Sequence, residues 1–286
     1  MSLALLRAML DAVSAPDTSV PPAPPSASPS QHDVPTVIAI TAVATAITDV
    51  LHEFVGHGGA CVLSGFHPLS VSTVAFECSM DSRFVAAGGT LVNLIAGTIF
   101  LLIARKMRSP SARFFFWLLM TFSFLDAGGY FMFSGIANIG DWAMVIQGLQ
   151  PAWAWHVTLT VIGVTLYLFF VRVSLVELQP LLSPDRNERL RRARRLLFIP
   201  YFTHGILMTI AGFFNPVGII LVVISAMAAS FGGCSGMLWM GMWLRGNLIR
   251  TPAQERPNIA QSWTWIAAGI VVAIPFIFVL GRGIRL

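Results

Sequence analysis

Charge is scarce in this sequence. Of the 286 residues, 56% are hydrophobic and only 11% are charged, and the mean hydropathy is +0.75. Because a soluble domain carries about a quarter charged residues, an ordinary water-soluble enzyme is excluded. The net charge of +5 does not indicate a nucleic-acid partner, since the arginines flank long apolar runs. The composition predicts a membrane protein of several spans in contact with the lipid bilayer.

Cysteine and internal repetition are scarce as well. The three cysteines, Cys61, Cys78 and Cys234, are too few for a disulfide framework. A Cys61–Cys78 bridge is compatible with the sequence if the intervening loop faces an oxidising compartment. The chain has no visible internal repeat, although many transporters are built from inverted repeats.

Apolar stretches of about 20 residues recur from Thr36 onward, which is the length that crosses a bilayer core of roughly 30 Å. The sequence therefore predicts an all-α polytopic membrane protein with six to seven transmembrane helices. The predicted spans are 36–63, 84–104, 112–146, 153–174, 196–214, 217–244 and 262–281. Residues 1–34 are rich in Pro, Ser and Ala and predict a disordered tail.

Two segments depart from simple spans. Residues 112–146 are too long for one crossing, so we expect a broken or re-entrant third span, which is tolerated only where it is buried in protein or lines a wet cavity. Residues 66–83 alternate in part, which fits a short extended or hairpin segment as well as a connecting loop. As a strand, this segment could pair with an extended substrate peptide. The glycines of the third span are Gly128, Gly129, Gly135 and Gly140.

The basic residues are distributed asymmetrically. In a seven-span arrangement, 15 of the 18 Lys and Arg residues fall on one side, which leaves Arg83, Arg282 and Arg285 on the other. By the positive-inside rule, the N-terminus and the basic loops, including 175–195, are predicted to be cytoplasmic. We expect the membrane to be the inner membrane of a bacterial cell.

Four ionisable residues interrupt the first span. Asp49, His52, Glu53 and His57 lie on a helix that is otherwise apolar. A charged group at the centre of a membrane helix costs about 3 kcal/mol on insertion scales, and such residues are functional by default. A His-Glu pair followed by a second His is the zinc-hydrolase pattern, in which the histidines bind the metal and the Glu activates the bound water.

The spacing of this motif is one residue longer than usual. On a regular α-helix, positions i and i+5 lie about 140° apart around the axis, whereas i and i+4 lie about 40° apart. A π-bulge absorbs the extra residue, and Gly56 makes local rewinding cheap. The H-E-x-x-G-H arrangement resembles the zinc helix of dipeptidyl peptidase III, which implies that the longer spacing can bind zinc.

A catalytic zinc site needs a third protein ligand. The leading candidates for this ligand are Asp141 and Asp126 in the broken third span. Asp49, in the first span, is a candidate for a residue that hydrogen-bonds to a metal ligand and holds it in place. Other acids and histidines are weaker candidates: Glu77, Asp81, His156 and His204.

Three segments together resemble the site-2-protease group of intramembrane zinc metalloproteases. The family has an H-E-x-G-H helix, an A-G-P-x-x-N segment that opens the next span, and a bend leading to an L-D-G aspartate. The corresponding segments here are residues 52–58, residues 88–94 and the third span. Thr90 stands where the family has Pro, and Trp142 follows Asp141 where Gly is expected, which indicates a divergent relative.

The resemblance implies a role for each matching residue. His52 and His57 would bind zinc, Glu53 would be the base, and Gly89 and Asn93 would help to position substrate. For the third ligand we favour Asp141, which follows Asn138 and Gly140 at a bend, over Asp126, whose Leu-Asp-Ala-Gly context is closer to L-D-G. Residues 35–146 would form the metalloprotease-like membrane core, and residues 147–286 would be accessory helices.

The predicted function is that of an intramembrane zinc metallopeptidase. Glu53 would activate a zinc-bound water to hydrolyse peptide bonds of membrane-embedded peptide or protein substrates. One alternative is an ion- or proton-coupled transporter that uses the same polar residues. Another is a catalytically inactive metal-binding scaffold.

Overall fold

Long apolar helices dominate the architecture. The computed structural model describes residues 32–216, 218, 220, 222–245 and 258–286. Within these residues, six helices are long and apolar enough to cross a membrane, and a short helix follows the third of them. In chain order the helices are α1 Val34–Leu63, α2 Arg83–Lys106, α3 Pro110–Ala137, α4 Asp141–Ile146, α5 Ala152–Leu181, α6 Arg186–Phe213 and α7 Trp263–Leu280. The predicted all-α polytopic membrane fold is confirmed.

Local sequence signals set the helix starts. The Asp33 side chain accepts a hydrogen bond from the Thr36 backbone N–H at 2.9 Å, which caps α1. Ser82 caps α2 in the same way, through the N–H of Val85 at 3.1 Å. The predicted tail of residues 1–34 lies almost entirely outside the described residues. Its last three positions are described, and they belong to the packed protein because α1 begins at Val34.

The central helix is α3, whose side chains Phe114, Trp117 and Leu125 are fully buried. It packs between α2 and α5. At the end of α5, Glu177 accepts hydrogen bonds from Arg105 at 2.7 and 2.9 Å. The predicted core of residues 35–146 and the accessory helices therefore pack against each other within one compact unit.

The predicted sixth span, 217–244, is an irregular helical run. It contains a π-helix, Val222–Gly232, and then short 3-10 and α turns that end at Arg245. Its first part reaches the loop after α1, where Ser225 donates to the Val74 carbonyl at 2.9 Å. Its last part packs at Leu244 beside Arg194, near the start of α6. The described part of the run therefore extends from the loop after α1 to the start of α6, alongside the six long helices.

A three-stranded sheet lies at one end of the bundle. Strands β1 (Pro68–Val71) and β2 (Phe76–Cys78) form the hairpin between α1 and α2, and β3 (Ile284–Arg285) follows α7. The strand order is β2-β1-β3, and both pairings are antiparallel. Of the two interpretations of residues 66–83, the hairpin is correct. A disulfide between Cys61 and Cys78 fastens β2 to the end of α1.

The predicted break in the third span occurs after Ala137. The α3 helix runs without interruption through Gly128, Gly129 and Gly135. It ends where Asn138 adopts a left-handed conformation (φ 56°) and Gly140 has φ 83°, a region that asparagine and glycine enter at low cost. The break turns the chain back so that α4 begins at Asp141.

Candidate metal centre

The metal motif lies on a π-helical stretch of α1. Residues Leu51–Gly58 form a π-helix inside a span that is otherwise α-helical. Because π-helical hydrogen bonds join residues i and i+5, side chains five positions apart fall on the same face. His52 and His57 therefore point the same way, and their Nε2 atoms lie 3.3 Å apart. The predicted π distortion is confirmed, and it extends over eight residues.

Asp141 completes a group of three facing ligand atoms. Its Oδ2 lies 3.4 Å from His52 Nε2 and 3.5 Å from His57 Nε2. In a tetrahedral zinc site with bonds of about 2.0–2.1 Å, the ligand atoms are about 3.3 Å apart. The three atoms have this spacing, and the group could hold a metal ion. Asp141 Oδ2 is buried and has no hydrogen-bond partner in the described part of the chain, which leaves it free for a cation.

A backbone carbonyl fixes the His57 ring. His57 Nδ1 lies 2.7 Å from the carbonyl oxygen of Val85 on α2, so Nδ1 carries the proton and donates it. The lone pair is then on Nε2, the atom that faces Asp141. A second hydrogen bond of this kind is typical of metal-binding histidines.

A carboxylate and an amide lie on the other side of His52. The Asn93 amide nitrogen is 3.0 Å from His52 Nδ1 and donates to Asp126 Oδ2 at 2.8 Å. Asp126 Oδ2 itself is 3.6 Å from Nδ1. Tyr130 stacks on the His52 ring with centroids 4.9 Å apart. Asp126, the alternative third ligand, therefore faces the wrong ring nitrogen for that role, because the turn after Ala137 brings Asp141 to Nε2 instead.

Glycines allow α2 to approach the metal helix closely. A Cβ atom at Gly56 would lie 2.5 Å from the Gly89 Cα. A Cβ at Gly89 would lie 2.6 Å from His52 Nε2 and 2.7 Å from His57 Nε2. Gly89 therefore packs directly against the ligand nitrogens, and any side chain there would displace them.

The substrate-positioning role implied for Gly89 and Asn93 is not supported. Asn93 is fully buried, and neither residue is among the described residues that line the open cleft at the metal group. Both contact His52 because α2 crosses the metal helix at this point. Their contacts hold the position of the His52 ring.

The metal group borders an open cleft of about 390 Å³. His57 and Asp141 line it together with Glu53, Tyr130 and Phe76. Glu53 is buried, and its Oε2 has no hydrogen-bond partner within the described ranges. This carboxylate is therefore available to accept a proton from a molecule in the cleft.

A small inner cavity of about 30 Å³ lies deeper in the bundle, with room for about one water molecule. Asp49, Glu53 and Asp126 line it, together with His204. Asp49 Oδ2 is buried without a hydrogen-bond partner among the described residues. Because Asp49 faces this cavity, it does not support a metal ligand directly.

The weaker ligand candidates lie elsewhere. Glu77 accepts a hydrogen bond from Ser70 across the hairpin, and Asp81 lines the outer part of the cleft. His156 contacts the Gly135 carbonyl oxygen at 3.1 Å. His204 contacts Thr45 at 3.0 Å and stacks on Phe122.

Sequence reasoning missed two contributors to the site. Tyr130 lies four residues after Asp126, on the same helix, and this i, i+4 spacing was the available signal. The contact between the Val85 carbonyl and His57 could not be predicted from the sequence, because the position of a backbone acceptor depends only on the path of the chain.

No protein-family model, curated protein or solved structure matches this chain. The chain is therefore described by its own geometry. It is a multi-pass membrane protein in which the buried His52 and His57 and the half-buried Asp141 form a group that could hold a metal ion.

Proposed function

We propose that this protein is a zinc-dependent peptidase that acts within the membrane, related in type to the site-2 proteases. The observation that carries the proposal is the convergence of His52, His57 and Asp141 beside the unpartnered carboxylate of Glu53. Two imidazoles and one carboxylate are a typical ligand set for catalytic zinc. When bound, zinc would polarise a carbonyl group and lower the pKa of water.

The residues around the cleft have distinct roles in this proposal. Glu53 takes a proton from the attacking water at its carboxylate and returns it to the leaving amine. The Val85 carbonyl and the Asn93–Asp126 pair hold the two imidazoles in place. A peptide in an extended conformation exposes its carbonyl groups and can lie along strand β2, which lines the cleft. The substrate is therefore a membrane-embedded peptide or protein that unwinds locally.

We further propose that the N-terminus and the basic loops are cytoplasmic, in the inner membrane of a bacterium. The hairpin and the arginine-rich connections lie at opposite ends of the bundle. The Cys61–Cys78 disulfide at the hairpin end supports this orientation, because disulfides persist in oxidising compartments. In this orientation the cleft opens on the extracytoplasmic side.

Metal content and cleavage test the proposal together. We expect about one zinc per chain in the purified protein and in Glu53→Gln, with cleavage of a single-span test peptide only by the wild type. His52→Ala, His57→Ala and Asp141→Asn should each lose the zinc. Glu77→Gln is a matched control, since Glu77 lies on the hairpin away from the ligands. Stoichiometric zinc in all three ligand variants would contradict the site, and unchanged cleavage by Glu53→Gln would contradict the role of the base.

One observation favours a second candidate, an ion or proton transporter. The unpartnered Asp49 and the inner cavity extend the polar region beyond the metal group, and buried acids of this kind serve in ion pathways. Zinc or proton flux into sealed vesicles, lost in Asp49→Asn and unaccompanied by peptide cleavage, would select this function.

A further inference from the structure

A second cavity lies on the bilayer side of the metal helix. It has a volume of about 410 Å³ and runs between α1 and the hairpin. Its walls include Phe54, Val62 and Leu63, and its floor is Gly58 and Gly59. Val62 is 60% exposed and Leu63 is 80% exposed, so the cavity opens to the outside of the bundle along the last turn of α1. We call it the bilayer groove.

A single aromatic ring separates the bilayer groove from the metal cleft. Phe76 of β2 lines both cavities. Its ring rests on Gly58, where an added Cβ would lie 3.1 Å from the Phe76 Cε2. Gly58 directly follows the ligand His57. The groove therefore continues to the metal site along the same stretch of helix.

One of the two glycines in the floor of the groove, Gly59, has no packing neighbour. A Cβ atom at Gly59 would meet nothing within 4 Å, so no neighbour requires a glycine there. Glycine weakens a helix relative to alanine. The missing side chain leaves space on the surface of the groove.

We propose that the bilayer groove is a substrate subsite that holds an apolar, membrane-embedded peptide segment, while the adjoining residues pass Phe76 and enter the metal cleft. This inference rests on the peptidase function proposed above. None of the residues that line the groove is ionisable, which matches an apolar segment. The cleft beyond it carries Glu53, Asp81 and Asp141. A peptide that lies in the groove can continue past Phe76 into this cleft and bring its backbone to Glu53 and Asp141.

Photo-cross-linking tests occupancy without relying on catalysis. A photoreactive residue replaces Val62 in a Glu53→Gln protein, in liposomes that contain a synthetic single-span Leu-Ala peptide with a Gly-Gly break in its outer half. The matched control places the same group at Val161, which is 59% exposed on α5. We expect several-fold more peptide adduct from position 62 than from position 161. Equal yields, or lipid adducts alone at position 62, would overturn the subsite.

A substitution that fills the groove tests its use in turnover. Gly59→Leu should keep its zinc and lower kcat/KM for the single-span peptide by at least about tenfold, because a filled apolar pocket excludes its ligand. The loss should be much smaller for a short water-soluble peptide. Val161→Leu on α5 should behave as the wild type. An unchanged kcat/KM in Gly59→Leu would overturn the subsite and leave the peptidase proposal intact. If the peptide cross-links at position 62 but the wild type does not cleave it, the peptidase proposal is overturned and binding in the groove is not.

Discussion

Asp126 and Asp141 lie on opposite sides of one imidazole ring. Asp141 approaches His52 at Nε2, and Asp126 approaches it at Nδ1. A carboxylate at the outer nitrogen of a metal-binding histidine fixes the ring and raises its basicity. The two acids are therefore not equivalent, although both are rare ionisable residues in an apolar chain.

This difference gives a prediction at the level of the single residue. Asp126→Asn should weaken zinc affinity by about 10–100-fold, as is usual for a residue that supports a ligand, and should still bind one zinc at saturation. Asp141→Asn should fail to bind it at all. Competitive titration with a chromogenic chelator measures both variants. Equal affinities in the two variants would show that the roles assigned to these aspartates are wrong.

The sequence was sufficient to select most of the residues that converge at the candidate metal centre. In a membrane span, His52, Glu53 and His57 have no structural reason to be present, so the sequence singled them out as candidates for the ligands and the base, and the structure brings the two histidines together with Asp141. The choice between the two aspartates depended on where α3 ends. That end is set by Asn138 and Gly140 at positive φ, a property that sequence indicates only through residue preference.

At the level of the elements, two glycines of α3 serve helix packing and do not break the helix. Gly128 lies against the backbone of Tyr167, and Gly135 lies against the backbone of Thr160, so both permit close contact with α5. Small residues serve this purpose in membrane helices. The sequence alone did not separate helix-breaking glycines from packing glycines, because that depends on the partner helix.

The disulfide couples the hairpin to the metal helix. It joins Cys61 to Cys78 across 17 positions, and a loop of this size corresponds to about 3 kcal/mol of stabilisation in the chain-entropy model. We expect Cys61→Ala/Cys78→Ala to lower the free energy of unfolding by about this amount. Denaturant titration in detergent measures it. A reducing agent should destabilise the wild type and leave the double variant unaffected, so insensitivity of the wild type would contradict the prediction.

At the level of the whole molecule, buried polar contacts join distant segments at the basic end. His32 Nδ1 accepts a hydrogen bond from the Ile259 N–H at 3.0 Å, and Arg195 donates to the His32 carbonyl oxygen at 3.1 Å. Burial, together with the nearby Arg192 and Arg195, lowers the pKa of His32 to about 4, although Glu188 acts in the opposite direction. His32 is therefore neutral when folded.

The low pKa of His32 makes stability depend on pH. Below its unfolded pKa of about 6.5, the unfolded chain takes up a proton that the folded protein does not. Stability should therefore fall as the pH decreases from about 6.5 to about 4. In His32→Asn the side chain can still accept the hydrogen bond from Ile259 but does not take up a proton in this pH range, so the loss of stability at low pH should be smaller. Thermal unfolding at several pH values compares the two proteins, and identical pH profiles would contradict the assignment.

The proposed orientation of the whole chain can be tested with single cysteines. Met80 lies beside the hairpin and Arg108 lies between α2 and α3, and both are exposed. We expect Met80→Cys to react with a membrane-impermeant maleimide in intact cells, and Arg108→Cys to react only after permeabilisation. The reverse pattern would invert the proposed topology. The three native cysteines should not react with the maleimide, because two form the disulfide and Cys234 is buried.

The position of β1 has a consequence for biosynthesis. Strand β1 emerges from the ribosome early, yet one of its two neighbours, β3, is made more than 200 residues later. Until then one edge of β1 has no partner strand. The sheet can therefore be completed only after α7 has been made, and this edge of β1 stays unpaired while the intervening helices are synthesised.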